Sequence, residues 1–389
     1  MPLNFNELIF LPRVLHIDRT YVEYLEYPVM NFASNFFYLN RTQDLNLQRA
    51  VYAHTENLIV DPRTAMFQYG GHRGKPTYRK LSYSIPDNQV LSSSDLNISS
   101  LRNYVNLVIQ EQISREATII VPPYFLISSH SDEWFDICVN SARISRELRP
   151  NDNILMFLLI KNRILLNQSE LESIIRTLEN LEVNGFYILV SDLDESRISR
   201  TYLNSYVNLI RQLSSSERIV LPGQVGRLGL VLAAAGAAGY GAGFEKLDSF
   251  SESSLSSEGT GGGRTTRYYI HNCLLHIYAH KADAITDTNV STLEYPCNCN
   301  HCDGRNPTEI ASKERTLHFI DLRLRELRKL TRIEPSERIN YVANLFSEAI
   351  NLCLEIETNL ASSDFGSQIF NNSDYEHLVT LRDAILDLQ

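Results

Sequence analysis

Cys297-Asn298-Cys299-Asn300-His301-Cys302 packs three thiols into a six-residue stretch, and His318 opens a helical stretch downstream. Three thiolates and one imidazole are the soft-to-borderline donors that close a tetrahedral Zn²⁺ site, leaving no coordination position for substrate. The chemistry expected is therefore structural, with Cys297, Cys299, Cys302 and His318 as ligands and Zn²⁺ as the cofactor. His301 lies inside the cluster, but its neighbour Cys302 would have to share the same metal, so it is the sterically poorer ligand. The remaining cysteines, Cys138, Cys273 and Cys353, are isolated in apolar surroundings and do not form a disulfide framework.

A second set of residues could do acid–base or nucleophilic chemistry. Asp61 follows the apolar run Leu58-Ile59-Val60, and Glu245 and Asp248 follow the small-residue run from Ala233 to Gly243. Gly223-Gln224-Val225-Gly226 follows the run Arg218–Leu221. Carboxylates at strand ends, beside glycines that let a flat ligand approach the backbone, are the parts of a pocket. Asp61 reads as a general acid/base and Asp248 as a nucleophile, with Glu245 as the alternative. Gly223, Gln224 and Gly226 would line the pocket, and Arg63, His72 and Arg73 would contact phosphate or base. Asp192 and Asp194 read better as caps of a following helix. Trp134, Tyr69, Tyr124 and Tyr240 are either stacking partners or ordinary core and rim aromatics.

A third set is basic. Seven Lys/Arg between Lys313 and Arg332 face three acids, a local charge of 7 − 3 = +4 on a chain whose net charge is −10. Arg323, Arg325, Arg328 and Lys329 are candidate nucleic-acid contacts. A solvated helix face balanced by its own acids is the equal alternative.

The elements that must position these groups read as α/β. Candidate strands are Asn57–Val60, Ala117–Val121, Ile154–Ile160, Gly185–Val190, Arg218–Leu221 and Ala238–Gly241, alternating with amphipathic stretches such as Ser169–Leu181 and Tyr202–Leu213. A run as apolar as Ile154–Ile160 belongs to a strand buried on both faces of a parallel sheet. Repeated βα units predict a (β/α)8 TIM-like barrel with an appended zinc-binding helical subdomain. The expected boundaries are an N-terminal segment over 1–50, a barrel over 51–285, the zinc subdomain over 286–335 and helices over 336–389. Tyr268–Ala279 and Thr316–Leu330 read as helices flanking the cysteines. Ser249–Gly263 holds six serines in nine residues and then a glycine run, too little apolar surface to order itself, and reads as a mobile lid or a plain linker. The 389 residues and 43% hydrophobic content suit a barrel-sized domain with an appendage. The N-terminus lacks the basic region of a signal peptide and no apolar run reaches membrane-spanning length, so a soluble, cytoplasmic protein is expected. Neither a phosphate-binding lysine loop nor a dinucleotide fingerprint is present.

The cysteine cluster followed by His318-Phe319-Ile320-Asp321-Leu322-Arg323-Leu324-Arg325-Glu326-Leu327-Arg328 resembles the zinc subdomain of the tRNA-guanine transglycosylase superfamily. Leu58–Gln68 is similar in placement to that family's strand ending in aspartate with Phe-Gln a few residues on, although the intervening Ser-Gly-Gly is replaced here by Pro-Arg-Thr-Ala-Met. Gly223–Gly229 resembles its glycine loop near the bound base. Gly239–Asp248 falls where the family carries its nucleophile, without the surrounding motif, and the spacing from Cys302 to His318 is shorter than the family's. The resemblance implies a divergent member that exchanges guanine in tRNA or DNA for a 7-deazaguanine, acting as a homodimer or with a partner subunit. A non-catalytic partner subunit and an N-glycosidase acting on nucleosides are the competing readings.

Overall fold

A computed structural model describes residues 8–14, 36–39, 57–193, 198–214, 218–242, 250–256, 267–286, 297–361 and 370–388. The chain divides into two compact units, Met1–Leu193 with Ser205–Gly243 and Asp248–Gly261, and Asp194–Asn204 with Phe244–Leu247 and Gly262–Gln389.

The first unit is α/β around a parallel sheet. Its strands are β1 (Ile9–Val14), β2 (Phe36–Leu39), β3 (Asn57–Val60), β4 (Ile119–Ile120), β5 (Leu126–Ile127), β6 (Asn153–Lys161), β7 (Gly185–Ser191), β8 (Ile219–Pro222) and β9 (Gly239–Ala242). Their spatial order is β8-β7-β6-β4-β3-β2-β1-β9, with β5 continuing beside β6. All of these pairings are parallel. At the two ends of that order, the Ala238 N–H donates to the Val220 carbonyl at 2.9 Å and the Val225 N–H to the Gly241 carbonyl at 3.5 Å. Strands β1 and β2 come from the segment that the sequence reading sets aside as residues 1–50. A boundary at residue 51 therefore cuts through the sheet, because a few residues of ladder pairing give little composition signal.

Helices α1 (Ala65–Gln68), α2 (Pro76–Arg79), α3 (Ile98–Ser114), α4 (Glu133–Leu148), α5 (Gln168–Glu179), α6 (Arg200–Ser214) and α7 (Leu228–Ala234) punctuate the strands. Asn97, Asp132 and Asn167 accept first-turn N–H groups and so fix where α3, α4 and α5 begin. Ile154–Ile160 of β6 is buried along its whole length, as a strand covered on both faces must be.

The second unit opens on an antiparallel hairpin, β10 (Arg267–Ile270) and β11 (Leu275–Tyr278), followed by α8 (Ala279–Thr286), α9 (Ser312–Thr331), α10 (Arg338–Ala361) and α11 (Glu376–Leu386). The helix expected over Tyr268–Ala279 is thus mostly a hairpin. Leu274 takes a left-handed conformation at φ 51°, which turns the chain back, and the aromatic and β-branched residues on either side favour strands. Among the described residues no helix is long and apolar enough to cross a membrane.

Candidate metal centre and strand-end hollow

In the second unit the loop after residue 296 and helix α9 bring Cys297, Cys299, Cys302 and His318 together, one donor atom from each lying within 4.8 Å of the others. The three sulfurs stand 3.8, 3.4 and 3.3 Å from His318 Nδ1. Tetrahedral Zn²⁺ with Zn–S about 2.3 Å and Zn–N about 2.0 Å would set its sulfur and nitrogen donors about 3.5 Å apart. The cluster could hold a metal ion.

Local backbone makes the cluster. The N–H groups of Cys302 and Asp303 both donate to the Cys299 carbonyl, at 3.0 and 2.9 Å, and Gly304 donates to Cys297 at 3.1 Å. Asp303 and Gly304 adopt positive φ, 51° and 67°, to close this turn. His318 Nε2 hydrogen-bonds the Tyr269 carbonyl at 2.8 Å, which protonates Nε2 and leaves Nδ1 as the donor to a metal. The Tyr268 ring stacks on His318 at 4.6 Å, and its hydroxyl lies 3.3 Å from Cys302 Sγ. Hydrogen bonds from Cys299 and Cys302 hold the Cys297 thiol down at about 3, and contacts with Cys297 and Cys299 hold the Cys302 thiol up.

The basic helix is only partly basic on its surface. Arg323 is 1% exposed and donates to Glu326 at 2.6 Å and to the Tyr269 hydroxyl at 3.2 Å. This corrects its assignment as a nucleic-acid contact: α9 is buried on most sides through its middle, so residue 323 faces protein. Glu326 also accepts from Tyr269 at 2.6 Å and meets His271 Nδ1 at 3.0 Å. Burial alone would raise the Glu326 carboxyl, yet Arg323 and His271 outweigh it and hold the group below its ordinary value. Arg325 is exposed and pairs with Asp321 at 2.6 Å, while Lys329 lies over the Tyr341 ring at 5.3 Å. Arg328 is half-buried on the same helix.

In the first unit Asp61 ends β3 and is 6% exposed. Its Oδ1 accepts from the Tyr124 hydroxyl at 2.7 Å and from the Arg63 N–H at 2.9 Å, and Arg63 Nε lies 3.8 Å from Oδ2. Side chains stand in for missing ladder bonds here. Thr64 Oγ1 donates to the Tyr124 carbonyl at 2.6 Å and accepts from the Tyr124 N–H at 2.8 Å, and the Gln68 amide accepts from the Leu126 N–H at 2.9 Å. The segment after β3 is thereby fastened to the chain between β4 and β5, which sets Tyr124 against Asp61.

Asp61, Arg63, Met66, Tyr124, Gln224 and Phe250 are among the residues lining a hollow of about 10 Å³ at these strand ends, room for about one water molecule. Arg63 and Gln224 both hold positive φ, 50° and 55°, a backbone cost that concentrates at functional sites. Gln224 is buried. Gly226 also turns at φ 48° but does not line the hollow. Gly223 has a different task from the pocket lining expected: a Cβ there would fall 2.2 Å from the Tyr187 ring, so the glycine makes room for that tyrosine. His72 is also corrected. It is 1% exposed, with its ring 4.8 Å from Phe67 and Nδ1 3.4 Å from the Met66 carbonyl, too deep to meet a phosphate. Arg73 is exposed and folds over Gly70, away from the lining. Glu245 and Asp248 lie outside the described residues.

Asp192 caps, but not the helix expected: its carboxylate accepts from Ser251 Oγ at 2.8 Å and the Glu252 N–H at 3.2 Å. Asp194 lies outside the described residues. Tyr240 is fully buried and packs on Gly229, so it is core, while Trp134 is half-buried and packs on Phe125 at 4.3 Å. Burial first, then Glu252 and Asp132, push the Tyr69 hydroxyl up to about 12. Sequence reasoning missed Phe250 and Leu255 as hollow-lining residues. They are the two apolar residues in the serine tract, and that was the available signal.

No protein-family profile matches the chain, and no characterised protein matches it in sequence.

Proposed function

We propose that this chain is a base-exchange glycosyltransferase that replaces guanine in tRNA or DNA with a 7-deazaguanine. The observation that carries the reading is Asp61: a buried carboxylate at a parallel-strand end, oriented by Tyr124 and Arg63 and lining a hollow. In this proposal the parallel strands close into a (β/α)8 barrel, supported by the two hydrogen bonds that join the β8 and β9 segments. The ion of the Cys₃His cluster is Zn²⁺, which ties the loop to α9 and takes no part in the reaction.

The chemistry needs two carboxylates. A nucleophile, Asp248 or alternatively Glu245, attacks C1′ of the target nucleotide, and the C1′–N9 bond breaks with its electron pair leaving on guanine. Asp61 gives a proton to the departing base and takes one from the entering base, whose nitrogen then attacks C1′ and expels the carboxylate with its electron pair. The target must be unstacked to reach such a site. Arg325, Arg328 and Lys329 recur at helical spacing along one face of α9 and would follow the phosphate backbone.

The test is incorporation of labelled guanine into bulk tRNA or duplex DNA by purified protein. Label in either polymer supports the reading, and its loss in Asp61→Asn ties the reaction to this hollow. A folded, metal-loaded protein that labels neither, with or without added 7-deazaguanine, would move the assignment to a non-catalytic partner subunit. The size of the hollow favours that second reading, since about 10 Å³ does not admit a purine as it stands.

A further inference from the structure

We propose that residues 250–256 form a strap that plugs the Asp61 hollow with Phe250 and Leu255, and that must swing aside before a ligand reaches Asp61. The inference rests on the hollow being a ligand site, not on which ligand it takes. Phe250 and Leu255 are 7% and 3% exposed, and both belong to the lining of a space that holds about one water. An engineered apolar cavity that admits even benzene is about 150 Å³. The strap's own side chains therefore occupy room that a ring-sized ligand needs.

Among the described residues the polar attachment is made by few groups, with Tyr69 hydrogen-bonded to Glu252 as one of them. Phe250 makes a single bridge to Ser191, with the Asp192 N–H donating to its carbonyl at 2.6 Å. Beyond that, Asp192 holds Ser251 and Glu252, and Lys161 at the end of β6 pairs with Glu252 at 2.9 Å. That ion pair is partly exposed, 25% and 32%, so it is weak and salt-sensitive. A glycine lets the strap lie down: a Cβ on Gly71 would fall 2.1 Å from the Leu255 carbonyl oxygen. The segment is thus seated by shape on an apolar hollow and latched by a few replaceable contacts, which is how a plug that opens differs from a strand that does not.

Amide hydrogen exchange of the full chain tests this. The amides of Asp192 and Glu252 should exchange at least tenfold faster than those of β7 in the native protein. In Lys161→Glu or Glu252→Lys they should speed up a further two- to fivefold, on the order of what an exposed ion pair contributes. The double swap should return them to within twofold of the native rate. A cysteine placed at Leu189, inside the hollow, should be alkylated by iodoacetamide in the same rank order, read by peptide mass spectrometry. Exchange as slow as β7 in all four proteins would overturn the strap, as would single variants that leave both the exchange and the alkylation rates unchanged. Neither readout depends on base exchange, so an inactive protein would not decide the matter.

Discussion

The metal centre and the Asp61 hollow are built in opposite ways. At the candidate metal centre three ligands come from one six-residue stretch and the fourth from the helix that follows, and the donors lie within 4.8 Å of one another. At the hollow, Asp61 is set by Tyr124, 63 residues away, and covered by Phe250 from a third segment. The first site is a local device held by turn geometry and the second is a convergence of strand ends. The difference teaches that a site whose parts are neighbours in the chain can be set by turn geometry, whereas a hollow between strand ends depends on which distant segments meet there.

The sharpest way to break the comparison is to remove a metal ligand. Cys299→Ser or Cys302→Ser should reduce metal content, measured by mass spectrometry, from one equivalent to almost none, whereas His301→Ala should retain it. Structural Zn²⁺ sites contribute about 10–16 kcal/mol in small peptides, so the stability loss should be several kcal/mol. Next is the buried pair under the metal site. Arg323→Met should cost about 3–5 kcal/mol in urea unfolding, because the buried Glu326 would lose its guanidinium partner and keep only Tyr269 and His271. Of similar size, Asp61→Asn should lower base exchange by about 10²–10⁴-fold with unfolding nearly unchanged, showing that the hollow serves reaction and the metal centre serves fold.

Acid sharpens the contrast further. The folded value of Glu326 lies below the ordinary 4.5, so its contribution is present above the unfolded value and is lost as pH falls through the folded one. Unfolding free energy should therefore drop below about pH 4.5 more steeply in the native protein than in Glu326→Gln, measured by denaturant titration at matched metal content. The smallest effect belongs to the helix surface. Arg325→Ala or Lys329→Ala should each lower the salt dependence of tRNA or DNA binding by about one counterion, while leaving stability within about 0.5 kcal/mol.

Much of this was legible in the chain. The spacing of the cysteines and the histidine downstream named a ligand set whose donors the fold brings together, although the helix expected to open at His318 begins at Ser312. The apolar run Ile154–Ile160 likewise follows from local composition. Arg323 shows where such reading ends. Every third or fourth position of α9 looks solvent-facing by charge, yet a helix wrapped on most sides turns one of those arginines inward and matches it with Glu326 and Tyr269.

What the sequence determined by itself are features whose cause spans a few residues: donor type and spacing, turn-forming Asp303-Gly304, strand and helix identity over long periodic runs. Tertiary structure alone decided that β1 and β2 join the sheet, that Tyr268–Tyr278 is a hairpin, that His72 is core, and that Phe250 and Leu255 line the same hollow as Asp61. The physical reason is range. Local hydrogen bonds and propensities are fixed by neighbours in the chain, whereas burial and partner choice depend on which distant apolar surface is there to be covered.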